Sequence, residues 1–145
     1  MMNYTEVKGD LFTNKDADMI VHCVSRDAAM GAGIAKIFRQ KYPDMPKYVL
    51  DTKPTVGDTV VYFDRENNRY IANMITKDRY FHKPTYLTFS RALTSLYIKA
   101  KDLGVAHIAM PKIGAGLDRL DWEKNKEMIQ NTFEGTEINI TVYYL

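Results

Sequence analysis

The sequence predicts an α/β fold, a mixed sheet covered by helices on both faces, and three observations carry that prediction. Short runs rich in β-branched and aromatic residues alternate with segments of three- and four-residue apolar periodicity. Two of the runs, MIVHCV at 19–24 and VAHIAM at 105–110, are almost continuously apolar, as strands buried on both faces must be. The polar stretch DRENNR at 64–69 joins two strand patterns directly, which predicts a hairpin and hence one antiparallel pairing.

In chain order, strands are expected at 4–8, 19–24, 59–64, 69–76, 105–110 and 138–145, and helices at 32–42, 45–53, 84–103 and 121–133. The third helix has the clearest pattern: Tyr86, Phe89, Leu93, Leu96, Tyr97, Ala100 and Leu103 recur on one face. Pro84 suits its first turn, where a backbone donor is dispensable, and Gly104 suits its stop. No internal repeat, low-complexity tract or linker interrupts the pattern, so residues 1–145 read as one domain, and a monomer is the simple expectation.

Bulk composition narrows the function. At 46% hydrophobic content, 145 residues can bury a core without covalent staples. Twenty basic against 18 acidic side chains leave a net charge of +2, which lacks the strongly basic footprint of sequence-independent nucleic-acid binding. One cysteine, Cys23, and three scattered histidines give neither an internal disulfide nor the spacing of a zinc site, so no metal is expected and an intracellular, cytoplasmic setting is. No run of about 18 apolar residues and no signal-like N-terminus occurs, so no membrane partner is expected.

Three segments follow the carboxyl ends of predicted strands, where α/β folds collect their ligands: 25–34, 76–85 and 111–118. The first, SRDAAMGAGIA, brings Gly31 and Gly33 to the start of a helix, whose free N–H groups and dipole favour an anion. Lys36 stands where a dinucleotide fingerprint needs its third glycine, and no P-loop lysine is present. PKIGAGLD repeats the arrangement with Gly114 and Gly116, again expected just before a helix. Either pair alone is explained by a tight turn; two cradles on one sheet edge suit a diphosphate.

Together KGDLF, HCVSRDAAMGAGIA, ITKDRYFHKPTY and MPKIGAGLDRLDWE resemble the macrodomain family, in its ADP-ribosyl glycohydrolase branch, and the resemblance runs in order from about Tyr4 to the C-terminal ITVYYL. It implies a three-layer α/β/α macrodomain with a central mixed sheet binding ADP-ribose, free or attached to protein, with nucleic acid only as an ADP-ribosylated substrate and no cofactor. By the same resemblance Asp10, with Leu11 beside it, accepts from the adenine amino group. Met30, Gly31, Ala32, Gly33 and Ile34 match the first phosphate loop, and Ile113, Gly114, Ala115, Gly116 and Leu117 the second. Many macrodomains carry an asparagine-rich segment after the second strand; here VHCVSRD matches the glycohydrolase branch instead and puts Ser25 near the distal ribose.

The resemblance further implies that Lys77 attacks the anomeric carbon of the distal ribose, displacing a glutamate or aspartate carboxylate, and that Asp118 gives acid/base help and resolves the adduct. An amine attacks only when unprotonated, so burial or the cations Arg79 and Lys83 are expected to lower the pKa of Lys77. Taken singly, Lys77 is a solvated strand end, Asp118 a loop carboxylate, His82 a loop hydrogen-bonder, and His107 and Cys23 core residues. Tyr143 or Leu145 is placed at the adenine side or, equally, on the sheet. Two alternatives stand beside terminal ADP-ribose removal: the same cleft with another leaving group (ADP-ribose 1″-phosphate, O-acetyl-ADP-ribose or ADP-ribosylated DNA), and a non-catalytic ADP-ribose reader.

Overall fold

A computed structural model describes residues 2–145. Six strands form one sheet: β1 (Tyr4–Lys8), β2 (Met19–Ser25), β3 (Thr59–Asp64), β4 (Arg69–Lys77), β5 (His107–Pro111) and β6 (Asn139–Tyr144). Their spatial order is β1-β6-β5-β2-β4-β3, with every pairing parallel except the β3–β4 hairpin. Four helices cover it: α1 (Gly33–Lys41), α2 (Met45–Asp51), α3 (Tyr86–Asp102) and α4 (Trp122–Phe133).

The period-2 alternation of strands divides the core into two layers. Met19 and Val21 of β2, Ala72 and Met74 of β4, and Ile108 and Met110 of β5 pack with α3 and α4. Their neighbours Ile20, Val24, Ile71, Ile75 and Ala109 pack with α1 and α2 on the opposite face. Between those neighbours the fully buried His22 stacks on Phe38 of α1 at 3.9 Å and sets Nε2 2.6 Å from Asn73 Oδ1 on the paired strand. Burial pushes its pKa down to about 4, only partly opposed by Asn73, so the ring is neutral.

The expected elements are present with edges moved by at most two residues. Helix α3 begins at Tyr86 because Thr85 and Thr88 form a reciprocal capping box, which leaves Pro84 outside the helix. Strand β4 runs one residue further than expected and ends on Lys77, so this side chain stands on the sheet edge itself. Helix α4 begins only at Trp122, and the Asp121 side chain caps it by accepting from the Glu123 N–H at 3.3 Å. The second glycine loop thus precedes a helix as expected, with five residues between Gly116 and Trp122.

Because β1, β6, β5, β2 and β4 run parallel, their carboxyl ends share one edge of the sheet. Four inter-strand spacings, about 19 Å, separate the end of β1 from the end of β4. An elongated ligand lying across that edge meets residues from five strands.

Candidate active site

A cleft of about 1060 Å³ runs along this edge, at the upper end of the range of about 300–1,000 Å³ usual for small-molecule sites. All but one of the residues singled out in the sequence line it: Asp10, Leu11, Ser25, Met30, Gly31, Ala32, Gly33, Ile34, Lys77, Ile113, Gly114, Gly116, Leu117 and Asp118. Ala115 does not; its amide turns back to donate to Lys112 O at 3.2 Å, which closes the loop on itself. A smaller cavity of about 550 Å³ against β3 shares none of these residues.

At one end, Asp10 accepts from the Phe12 N–H at 3.0 Å through Oδ1, capping a 3₁₀ turn at Leu11–Thr13 and leaving Oδ2 free. Tyr143 and Leu145 border this part of the cleft, and the Tyr143 hydroxyl accepts from Asn14 Nδ2 at 2.8 Å. In the middle the two glycine loops approach each other. Helix α1 has Ala32 at its N-cap with no side-chain partner and no acidic residue in its first turn, so the opening N–H groups remain open to a ligand.

Gly33 takes φ +60°, and a Cβ there would meet Leu117 Cδ1 of the second loop at 3.1 Å. Gly114 takes φ +74°, and a Cβ there would sit 2.8 Å from Asn125 Nδ2 and 3.1 Å from Phe89. The buried Asn125 in turn donates to Ile113 O at 3.0 Å, so α4 braces the second loop from below.

At the other end Lys77 Nζ lies 2.7 Å from Asp118 Oδ1, with side chains 15% and 14% exposed. The two cations expected near Lys77 have partners of their own. Arg79 turns to Asp78 at 3.6 Å, and the Lys83 ammonium donates to Leu117 O at 2.6 Å. The charge in contact with Lys77 is a carboxylate, a proton acceptor rather than a repelling cation. Cys23 is half-buried, packs against the core layer under α3 and α4 and also lines the cleft; burial, with Asp118 next, pushes its thiol pKa up, which keeps it protonated. His107 is half-buried too, 2.8 Å from Thr141 Oγ1, while His82 Nδ1 accepts from the Arg79 N–H at 3.3 Å as a loop hydrogen-bonder.

Sequence reasoning missed Asp27. Its carboxylate accepts from Ser25 Oγ, from the Ala29 N–H at 3.2 Å and from the Tyr80 N–H at 3.1 Å. Burial opposes its ionisation, but these donors outweigh it and hold the carboxyl below its usual range. One side chain thereby ties the loop after β2 to the loop after β4. Only the DAAM run after a strand hinted at a turn-forming aspartate.

The Macro domain family model matches residues 21–129, which span both glycine loops, Lys77 and Asp118. The chain belongs to the macrodomain family. This macrodomain is 43% identical to the human ADP-ribose glycohydrolase OARD1, over 97% of this chain and 91% of that protein. It is 30% identical to a DNA ADP-ribosyl glycohydrolase of Thermus aquaticus, over 94% of this chain but 40% of that one. Its fold superimposes on the macrodomain of Thermus aquaticus DarG with a TM-score of 0.90 and 27% identity, over the full length of both chains. Among the described residues no cluster of three or more metal-ligating side chains occurs, and no helix is long and apolar enough to cross a membrane.

Proposed function

We propose that this macrodomain releases terminal ADP-ribose from glutamate and aspartate side chains, with Lys77 as nucleophile and Asp118 as its proton partner. The coarse part of that reading, an ADP-ribose glycohydrolase of the OARD1 type, rests on 43% identity over nearly the whole chain. The finer part is carried by one observation: an amine and a carboxylate 2.7 Å apart, largely shielded, at the end of a cleft with two backbone cradles. A protein that only reads ADP-ribose has no need of a proton acceptor beside its lysine.

Bound ADP-ribose lies across the strand ends, its adenine at Asp10 and its diphosphate on the α1 N-terminus and the Gly116 and Leu117 amides. The distal ribose then reaches Lys77. The Nζ proton passes to Asp118, the freed amine forms a bond to the anomeric carbon, and the carbon–oxygen bond to the substrate carboxylate breaks, the carboxylate leaving with the electron pair. Asp118 releases the Nζ proton to the solvent, and the carboxylate, ionised again, takes the proton of the water that attacks the same carbon next. The carbon–nitrogen bond breaks, and the amine regains the proton that Asp118 took. Free ADP-ribose and a restored side chain are the products.

Quenching the full-length protein during turnover and recording its intact mass tests this directly. An ADP-ribosyl adduct mapping to Lys77 is expected, and accumulates when Asp118→Asn slows the second step. Adduct formation elsewhere, or ADP-ribose release by Lys77→Ala at the wild-type rate, would sink the assignment.

A further inference from the structure

Asp118 takes the proton in the proposed reaction, yet its own side chain does little to hold it there. Among the described residues Lys77 is its sole hydrogen-bond partner, at 2.7 Å, whereas the Asp27 carboxylate is held by three donors of its own. The side chain is short, so the place of its oxygens follows from the backbone beneath it. That backbone is unusual. Arg119, the next residue, takes φ +61°, a left-handed conformation that a long L-side chain keeps only where its surroundings impose it.

The segment leading into α3 supplies those surroundings. The Lys83 ammonium donates to Leu117 O at 2.6 Å, and the Asp121 N–H donates to the Tyr86 hydroxyl at 2.9 Å. Each bond grips one rigid peptide plane, the first between Leu117 and Asp118, the second between Leu120 and Asp121. The Arg119 N–H, bonded to Gly116 O at 3.2 Å, fixes a plane between these two. Lys83 and Tyr86 are themselves anchored. Pro84 beside Lys83 is buried, and Thr85 beside Tyr86 forms with Thr88 the reciprocal capping box that starts α3. A charged donor on a carbonyl is a stronger tie than a neutral one, and among the described residues Lys83 has no carboxylate to draw it away.

We infer that Lys83 and Tyr86 are positioning residues for Asp118, a two-point clamp that holds residues 117–121 so that the carboxylate faces Lys77. This rests on the proposed roles of Lys77 and Asp118 and adds the groups that bring the pair together from two separate loops. Lys83 acts through the Leu117 carbonyl and Tyr86 through the start of α4, neither on the reacting atoms. Misplacing a reacting group by about 1 Å can cost about 100-fold in rate, so the clamp governs turnover from outside the reaction.

The test follows ADP-ribose release from a glutamate-linked mono-ADP-ribosylated protein by four full-length proteins. They are the wild type, Lys83→Met, which keeps the stem and loses the donors, Lys83→Arg, which restores donors, and Tyr86→Phe, which loses only the accepting oxygen. Lys83→Met is expected to lower kcat at least about tenfold, and Tyr86→Phe in the same sense, with KM and ADP-ribose affinity within about twofold; Lys83→Arg recovers most of the loss. In the Asp118→Ala protein, followed in single turnover with enzyme in excess, adding Lys83→Met changes the residual rate by less than about twofold, because no carboxylate is left to place. Amide hydrogen exchange reads the clamp apart from activity: the Arg119 and Asp121 N–H groups exchange at least about tenfold faster in Lys83→Met and Tyr86→Phe, while the sheet amides keep their rates. A wild-type kcat in Lys83→Met, or an equal loss with and without Asp118, would overturn the inference. A fall in ADP-ribose affinity matching the fall in kcat would overturn it too, making Lys83 a ligand contact. Release by Asp118→Ala at the wild-type rate would instead remove the role of Asp118, and the exchange rates would then uphold or overturn the clamp on their own.

Discussion

Replacing Gly114 with alanine attacks the brace beneath the second glycine loop, and the structure supplies the parts of its cost. A left-handed φ of +74° costs an L-residue about 1–2 kcal/mol. The new methyl arrives 2.8 Å from Asn125 Nδ2 and 3.1 Å from Phe89, both fully buried, and overpacking of this kind adds about 1–3 kcal/mol. Loss of glycine's freedom in the unfolded chain returns about 0.4–1 kcal/mol. A net destabilisation of about 3 kcal/mol follows, which lowers the Tm of a chain this size by about 6–12 °C. Gly104→Ala is the matched control: its φ is +70°, but a Cβ there meets nothing within 4 Å, so only the backbone cost applies. Thermal and urea unfolding of the two variants separates packing from backbone strain. Asn125→Ala should also couple to Gly114→Ala, because it removes the nearest obstructing atom. If Gly114→Ala costs no more than Gly104→Ala, the loop is not braced by α4 and the reasoning fails.

Other consequences can be measured as directly. His22 has a folded pKa of about 4 against about 6.5 unfolded, so the unfolded chain binds the extra proton between those values and stability falls as pH drops through that window. The loss is about 3 kcal/mol by pH 4, and urea titrations of His22→Gln should lack that segment of the pH profile. Asp10→Asn keeps an oxygen for the Phe12 N–H but loses the charged acceptor; calorimetry should show ADP-ribose affinity reduced about 10- to 100-fold. Asp118→Ala should abolish most turnover while ADP-ribose still binds within a few-fold, whereas a parallel loss of binding would make Asp118 a ligand-holding residue only.

Local chemistry explains what could be read from the residues in order. β-Branched runs, the apolar stripe of α3 and the polar DRENNR turn each carry their signal within a few neighbours, and the glycine pairs mark the two loops for the same reason. What stayed hidden depends on partners distant in the chain. Lys77 meets Asp118 across 41 positions and Lys83 meets Leu117 across 34, pairings that no local pattern contains. The pairing of His22 with Asn73 needs the β2–β4 register, which no local pattern contains. Cys23 both packs against the core layer under α3 and α4 and borders the cleft, while Val24 and Ser25 after it are buried, a distinction the apolar run does not carry.

The lysine-nucleophile account is tested most directly by following release of ADP-ribose from a glutamate-linked mono-ADP-ribosylated protein, wild type beside Lys77→Ala, with ADP-ribose affinity measured on the same samples. Release by the wild type, lost in Lys77→Ala with affinity largely retained, is the predicted result. Undiminished release by Lys77→Ala, or none by a wild type that binds ADP-ribose, would contradict it.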